Sequence, residues 1–118
     1  MDASTSGWDR KKDRIMVVTF NPADKTFELS CDSTTMQRAG NILLQRDVDN
    51  APWTFVSINN LPDPPFKSTV AADGTSIAIT NDHSKIDNYW FTVTVWYDGN
   101  PYTSPDTRFT NPPMIRNL

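Results

Sequence analysis

Residues able to do chemistry are few in this chain, and they are scattered. His83 is the only histidine, in Asn81-Asp82-His83-Ser84. A Ser-His-Asp triad would have to use it. No nucleophile elbow or glycine-rich oxyanion loop accompanies it, and Asn, Asp and Ser side chains bonding their own backbone explain the stretch as a turn. Cys31 is the only cysteine. It could act as a nucleophile with His83, but it falls in phase with Phe27 and Leu29, and a buried cysteine behaves as a small inert hydrophobe. One cysteine and one histidine do not make a zinc site. Asp98, Asn100 and Asp106 offer oxygen ligands of the type calcium takes, about 6–8 of them. Their spacing matches no EF-hand loop, and Asp98-Gly99-Asn100-Pro101 is ordinary turn chemistry. Asp63 and Asp73 could be imagined as a glycosidase pair, yet each sits at a turn, beside Pro64 or Gly74. The expectation is a chain that is not an enzyme, with no catalytic, cofactor-binding or metal-binding residue and no cofactor.

Aromatic residues are the better candidates for binding. From Tyr89 to Tyr97 the chain alternates with period two. Tyr89, Phe91, Val93, Val95 and Tyr97 point one way; Trp90, Thr92, Thr94 and Trp96 point the other. Read as one long strand, the run separates the two indoles by six residues at about 3.3 Å each, roughly 20 Å in all. They could not clamp one small ring together, but each could stack on a sugar or a peptide. Trp96 would lie near Asp98, Asn100 and Tyr102, so the candidate binding surface is Trp90, Trp96, Asp98, Asn100 and Tyr102. The competing expectation, which is favoured, is that an arm or an edge strand covers both indoles, because large indoles are usually mostly buried.

The elements that must position these residues read as short strands. Residues 14–20 are apolar on both faces, which suits a strand covered on both sides. Further strands are expected over 25–31, 41–46, 53–58, 66–71, 75–80, 89–97 and 107–110. Met36, Ala39 and Leu43 have helical spacing, and Ser33 could cap a helix. Gly40 and Asn41 interrupt that pattern, so 33–45 reads as a loop followed by a short strand. Turn residues separate the strands: Asn21-Pro22-Ala23-Asp24, Asp47 to Pro52, the proline-rich Asn59 to Pro65, Asp73-Gly74 and Asn81 to Lys85. Residues 1–12 read as a loose N-terminal arm held by Trp8, and 13–118 as the folded domain. Seven or eight strands with turns near every ten residues predict an all-β fold, a single antiparallel β-sandwich in the immunoglobulin-like style.

Composition narrows the partners. At 118 residues, with nine prolines against four glycines and a net charge of -3, the chain suits one domain of short strands and rigid loops. The acidic balance argues against nucleic acid, and the basic Arg10-Lys11-Lys12 is flanked by Asp9 and Asp13. No apolar run approaches the roughly 18 residues of a membrane span, and no secretory signal is visible. With a lone cysteine, the expectation is a soluble cytoplasmic protein.

Two resemblances add to this. Cys31, Trp53 and Asp87-x-Tyr89-x-Phe91 are placed as in the immunoglobulin-like superfold, where a tyrosine at the position of Tyr89 bonds back to the main chain as a corner. Phe91 stands where that fold has its second cysteine. The C-terminal half, through Tyr89-Trp90-Phe91-Thr92-Val93, Tyr97-Asp98-Gly99, Tyr102, Ser104-Pro105-Asp106-Thr107-Arg108 and Asn111-Pro112-Pro113, resembles the DP-EP family of small bacterial proteins. It departs from that pattern at 106–107, where Asp106-Thr107 replaces an Asp-Pro. The resemblance implies a small β-sandwich and no activity or site residues. The same Asp-x-Arg ending is similar to bacterial inclusion-body proteins of the PixA type, some of which look lectin-like. The functional expectation is a non-catalytic protein-interaction module that self-associates through its edge strands, a homodimer. The alternative is a carbohydrate-binding domain using the Trp96 to Tyr102 region.

Overall fold

Alternating apolar and polar residues make strands of most of this chain, and the computed structural model describes residues 14–30, 33–104 and 114–118. Every helix-or-strand element among them is a strand: β1 (Arg14–Asn21), β2 (Thr26–Leu29), β3 (Ser33–Met36), β4 (Gly40–Arg46), β5 (Trp53–Asn59), β6 (Phe66–Val70), β7 (Ser76–Asn81), β8 (Asn88–Trp90), β9 (Thr92–Tyr97), β10 (Asn100–Thr103) and β11 (Met114–Asn117). The expected N-terminal arm, Trp8, Cys31, Asp106 and the strand expected at 107–110 lie outside the described residues.

The strands form three sheets: β2-β1-β4-β7-β6, β10-β9-β5 and β3-β11-β8. Six of the eight pairings are antiparallel, and two are parallel, β1 with β4 and β3 with β11. The all-β expectation holds. A purely antiparallel arrangement does not, because parallel partners come from distant parts of the chain and leave no local turn signal.

Several local expectations need correction. The run from Tyr89 to Tyr97 is not one strand. It breaks at Phe91 into β8, which pairs with β11, and β9, which lies between β5 and β10. The alternation survives the break, since Tyr89, Phe91, Val93 and Val95 are all buried. The helical spacing at 36–43 belongs to two strands, β3 and β4. Asn100 and Pro101 are not turn residues but open β10. The turn itself is Asp98-Gly99, both at positive φ (50° and 79°), the primed hairpin that Asp-Gly favours. β1 is fully covered on one face only: Met16, Val18 and Phe20 are buried, while on the other Val17 and Thr19 are half-buried and Ile15 is 47% exposed.

All three sheets contribute to one core. Met16, Val18 and Phe20 of β1, Ile42 and Leu44 of β4, Phe66 of β6 and Ile77 and Ile79 of β7 cluster with Trp53, Phe55, Val93 and Val95 of the second sheet. Met36, Tyr89 and Ile115 of the third sheet complete it. Phe20 is the hub of an aromatic group, 5.0 Å from Phe27, 5.6 Å from Tyr102, 5.9 Å from Tyr97 and 6.1 Å from Trp53. Such edge and tilted contacts add to burial itself.

Two devices fix the small sheets to the large one. Phe55 N–H donates to Gly74 O at 2.8 Å, which docks β5 on the β6–β7 turn. Gly74 is held at φ +73°, and a Cβ there would fall 2.6 Å from Thr54 Cβ, so only glycine fits without rearrangement. At the other end Asn81 and Asn117, both fully buried, clasp β7 to β11. Asn81 Nδ2 donates to Asn117 Oδ1 at 2.7 Å, and Asn117 Nδ2 donates to Lys85 O at 3.0 Å. Buried amides need such partners, because leaving one unmade costs its desolvation.

Candidate functional site

The period-two run was the source of the candidate surface, and the break at Phe91 divides it. Trp90 is 52% exposed and Trp96 47% exposed, so neither indole is covered as favoured from sequence. They stand on different sheets, so the roughly 20 Å spacing of a single straight strand no longer describes them.

Trp96 lies on the outer face of the second sheet. Opposite it stand Thr54 on β5 and Pro101 on β10. Pro101 has no N–H to lose, which suits this edge strand. Below this row runs a hydrogen-bonded polar ladder. Ser57 Oγ donates to Asn59 Oδ1 (2.9 Å), and Asn59 Nδ2 donates to Thr92 Oγ1 and Thr94 Oγ1 (3.1 Å each). The hydroxyls of Thr94 and Thr103 bond across the strands at 2.8 Å.

Tyr102 does not join Trp96. It pairs with Val95, whose side chain enters the core, and its ring lies with Phe20 and Tyr97. The Lys25 ammonium sits 5.7 Å from the Tyr97 ring and 5.6 Å from the Tyr102 ring, a cation–π arrangement. Asn100 is in register with Tyr97 and donates from Nδ2 to Asp98 O at 3.2 Å, closing the turn on itself. Of the five expected surface residues, then, Trp96 faces outward on the second sheet and Trp90 on the third. Asp98 lies in the turn, Asn100 opens β10 beside it, and Tyr102 belongs to the inner aromatic group.

Trp90 has different neighbours. β8 and β11 run antiparallel, with Trp90 opposite Met114 and Asn88 opposite Arg116. Asn117 N–H donates to Asp87 O at 2.9 Å, one step beyond the last paired residues. Just past the ladder Ile86 (62% exposed) and Leu118 (53%) are bare, as is Trp90 (52%) at the ladder's other end. Arg116 Nε donates to Asn88 Oδ1 at 3.2 Å between them. Ile86 shares the parity of Trp90, and that signal was readable in the sequence. Leu118 and Met114 were not readable, because β11 is recognisable only from its partners.

The other chemistry-bearing residues serve turns. His83 N–H donates to Asn81 Oδ1 (3.0 Å) and Ser84 N–H to Asp82 Oδ1 (2.8 Å). The His83 ring bonds through Nε2 to Met36 O at 2.9 Å. That carbonyl can only accept, so Nε2 carries the proton. Thr75 donates to Asp73 Oδ1 from both its N–H and its hydroxyl. These bonds to Thr75 hold the Asp73 carboxyl below its usual range, and bonds to Ser84 do the same for Asp82. Tyr89 donates to Lys85 O at a long 3.4 Å, the bond back to the main chain expected of a corner tyrosine. Burial, with the Asp87 and Asp82 charges, pushes its hydroxyl above the usual value.

Among the described residues no three His, Cys, Asp or Glu side chains converge as a metal site. No helix there is long and apolar enough to cross a membrane, which says nothing of spans made from strands. Open clefts of about 380 Å³ over Arg46 and Asp49, and of about 450 Å³ beside Arg14 and Arg38, contain neither tryptophan. The Arg46 guanidinium is occupied in holding its loop, donating to Ala51 O (3.0 Å), Trp53 O (2.6 Å) and Asp49 O. Searches against protein-family models and curated proteins find no match to this chain.

Proposed function

We propose that this chain is a non-catalytic β-sandwich of immunoglobulin-like style that works by contact with other protein chains, its own copies included. The single core shared by three sheets and the Tyr89 corner support the sandwich. The observation that carries the function is the outer face of the third sheet. Ile86, Trp90 and Leu118 stand there more than half exposed, around the Arg116–Asn88 bond. Bare apolar side chains, a tryptophan among them, set around an arginine have the composition of a contact site between proteins. Sedimentation velocity from micromolar to millimolar concentration tests it. The mean mass should rise above the 13.4 kDa of one chain, and Trp90→Ala should reduce the rise. A wild-type chain that stays monomeric throughout contradicts the reading.

The second reading is a carbohydrate-binding domain, and the outer face of the second sheet favours it. There Trp96 offers one stacking surface beside the Thr94–Thr103 hydroxyl pair, the combination that sugar rings use. Tyr102 is not part of that face. Glycan-array binding that is lost with Trp96→Ala would support this reading, and an array without signal would remove it.

A further inference from the structure

The edges of the sheets differ in how well they are closed. β10 carries Pro101, β8 has three residues, and β2 and β3 have four each. β5 is interrupted by a bulge between Phe55 and Ser57, and its Phe55 N–H is taken by Gly74 O. β6 is different. It has five residues without proline or bulge, at the end of the largest sheet. Ala71 N–H donates to Ser76 O and Asp82 N–H to Pro65 O. With the β6–β7 register, this turns the main-chain groups of the odd-numbered residues toward β7. The main-chain groups of Phe66, Ser68 and Val70 therefore point away from the sheet. Phe66 N–H is bonded to Pro62 O at 3.0 Å, which closes the strand at its start. Lys67, Ser68 and Thr69 are exposed.

We propose that β6 is a homodimer edge, at which a second copy of the chain adds its own β6 antiparallel across a twofold axis at Ser68. The second copy fits because the strand is complementary to itself in this register. Ser68 faces Ser68 of the second copy, and the two exchange both N–H and C=O. Each Val70 N–H meets the Phe66 carbonyl of the other copy. Phe66 lies beside Val70 across the axis on the core side. On the outer side Lys67 meets Thr69, so the one charged residue of β6 meets no like charge. A twofold axis makes every contact occur twice, and the five-stranded sheet becomes continuous through both copies. An open, regular edge is the ordinary template for such pairing. This edge is on a different sheet from the Trp90 face and does not require it.

Charge at position 69 reads the register directly. Sedimentation equilibrium of Thr69→Glu should show a dimer tighter by roughly three- to ten-fold, because each glutamate meets a Lys67. Thr69→Lys should weaken it by a similar factor, and both effects should shrink in high salt. Ser68→Pro removes a donor that β7 does not use and should give a folded monomer. In a Cys31→Ser background, Lys67→Cys mixed with Thr69→Cys should cross-link under mild oxidation, while either variant alone should not. Of the 67–67, 69–69 and 67–69 combinations across the axis, only 67–69 stands directly opposite and within disulfide reach. A dimer indifferent to the charge at 69 but lost with Trp90→Ala overturns this inference and leaves the contact-face reading standing. A chain that is monomeric at every concentration overturns both.

Discussion

The two small sheets present one half-exposed tryptophan each, and the surroundings of the two indoles differ in kind. Around Trp96 the neighbouring polar groups are already bonded to one another, from Ser57 through Asn59 to Thr94 and Thr103. On the side of Trp90 the bare side chains Ile86 and Leu118 are apolar, with the Arg116–Asn88 bond between. A satisfied polar face beside water costs little, whereas an apolar face gains by being covered, at about 25 cal/mol per Å². Equal exposure of two tryptophans therefore does not imply equal function. The surface around each one decides it.

The largest blow to this contrast would come at the residue where the chain crosses from one small sheet to the other. Phe91 is 1% exposed, and Phe91→Ala should cost about 3–5 kcal/mol in denaturant unfolding and loosen both sheets together. A loss under 1 kcal/mol would mean that the crossing is not a core position.

Gly74→Ala separates the two sheets, because its strain falls on Thr54 and β5. It should cost about 2–3 kcal/mol, with amide exchange accelerated in β5 and β9 before β8 and β11. Asn117→Ala is the converse. It strips the partner from a buried Asn81 amide, should cost about 1–3 kcal/mol, and should speed exchange in β8 and β11 first. If both variants loosened the same strands, the two sheets would not be independently anchored.

These anchors also mark the limits of what the sequence makes legible. The strands over 14–20, 41–46 and 53–58 declare themselves as short apolar, β-branched or aromatic runs between turn residues, that over 75–80 by alternation, and Asp98-Gly99 declares its hairpin. β3, β10 and β11 are four residues each and have no periodicity long enough to read; their conformation is imposed by partners distant in sequence. The break at Phe91 is hidden for a different reason. Side chains continue their alternation through it while the backbone changes sheet, so the pattern is blind to the event that separates Trp90 from Trp96. Asn100 and Pro101 carry turn chemistry, which hides β10 and with it the inward face of Tyr102.

A smaller effect is expected in alkali. The folded state holds the Tyr89 hydroxyl above its ordinary value of 10.0 and so favours the protonated phenol. Stability from this source is complete below pH 10 and is lost as pH rises through the folded value. The denaturation midpoint should fall in that range, and Tyr89→Phe should flatten the fall. An identical decline in the variant would assign it to other groups.

The most direct test of the contrast is fluorine NMR of chain labelled with fluorotryptophan, its signals assigned by Trp90→Phe and Trp96→Phe. As concentration is raised, the Trp90 signal should shift or broaden while the Trp96 signal stays fixed. A Trp90 signal unchanged from dilute to concentrated solution, or movement of Trp96 alone, would contradict the assignment of the third-sheet face to protein contact.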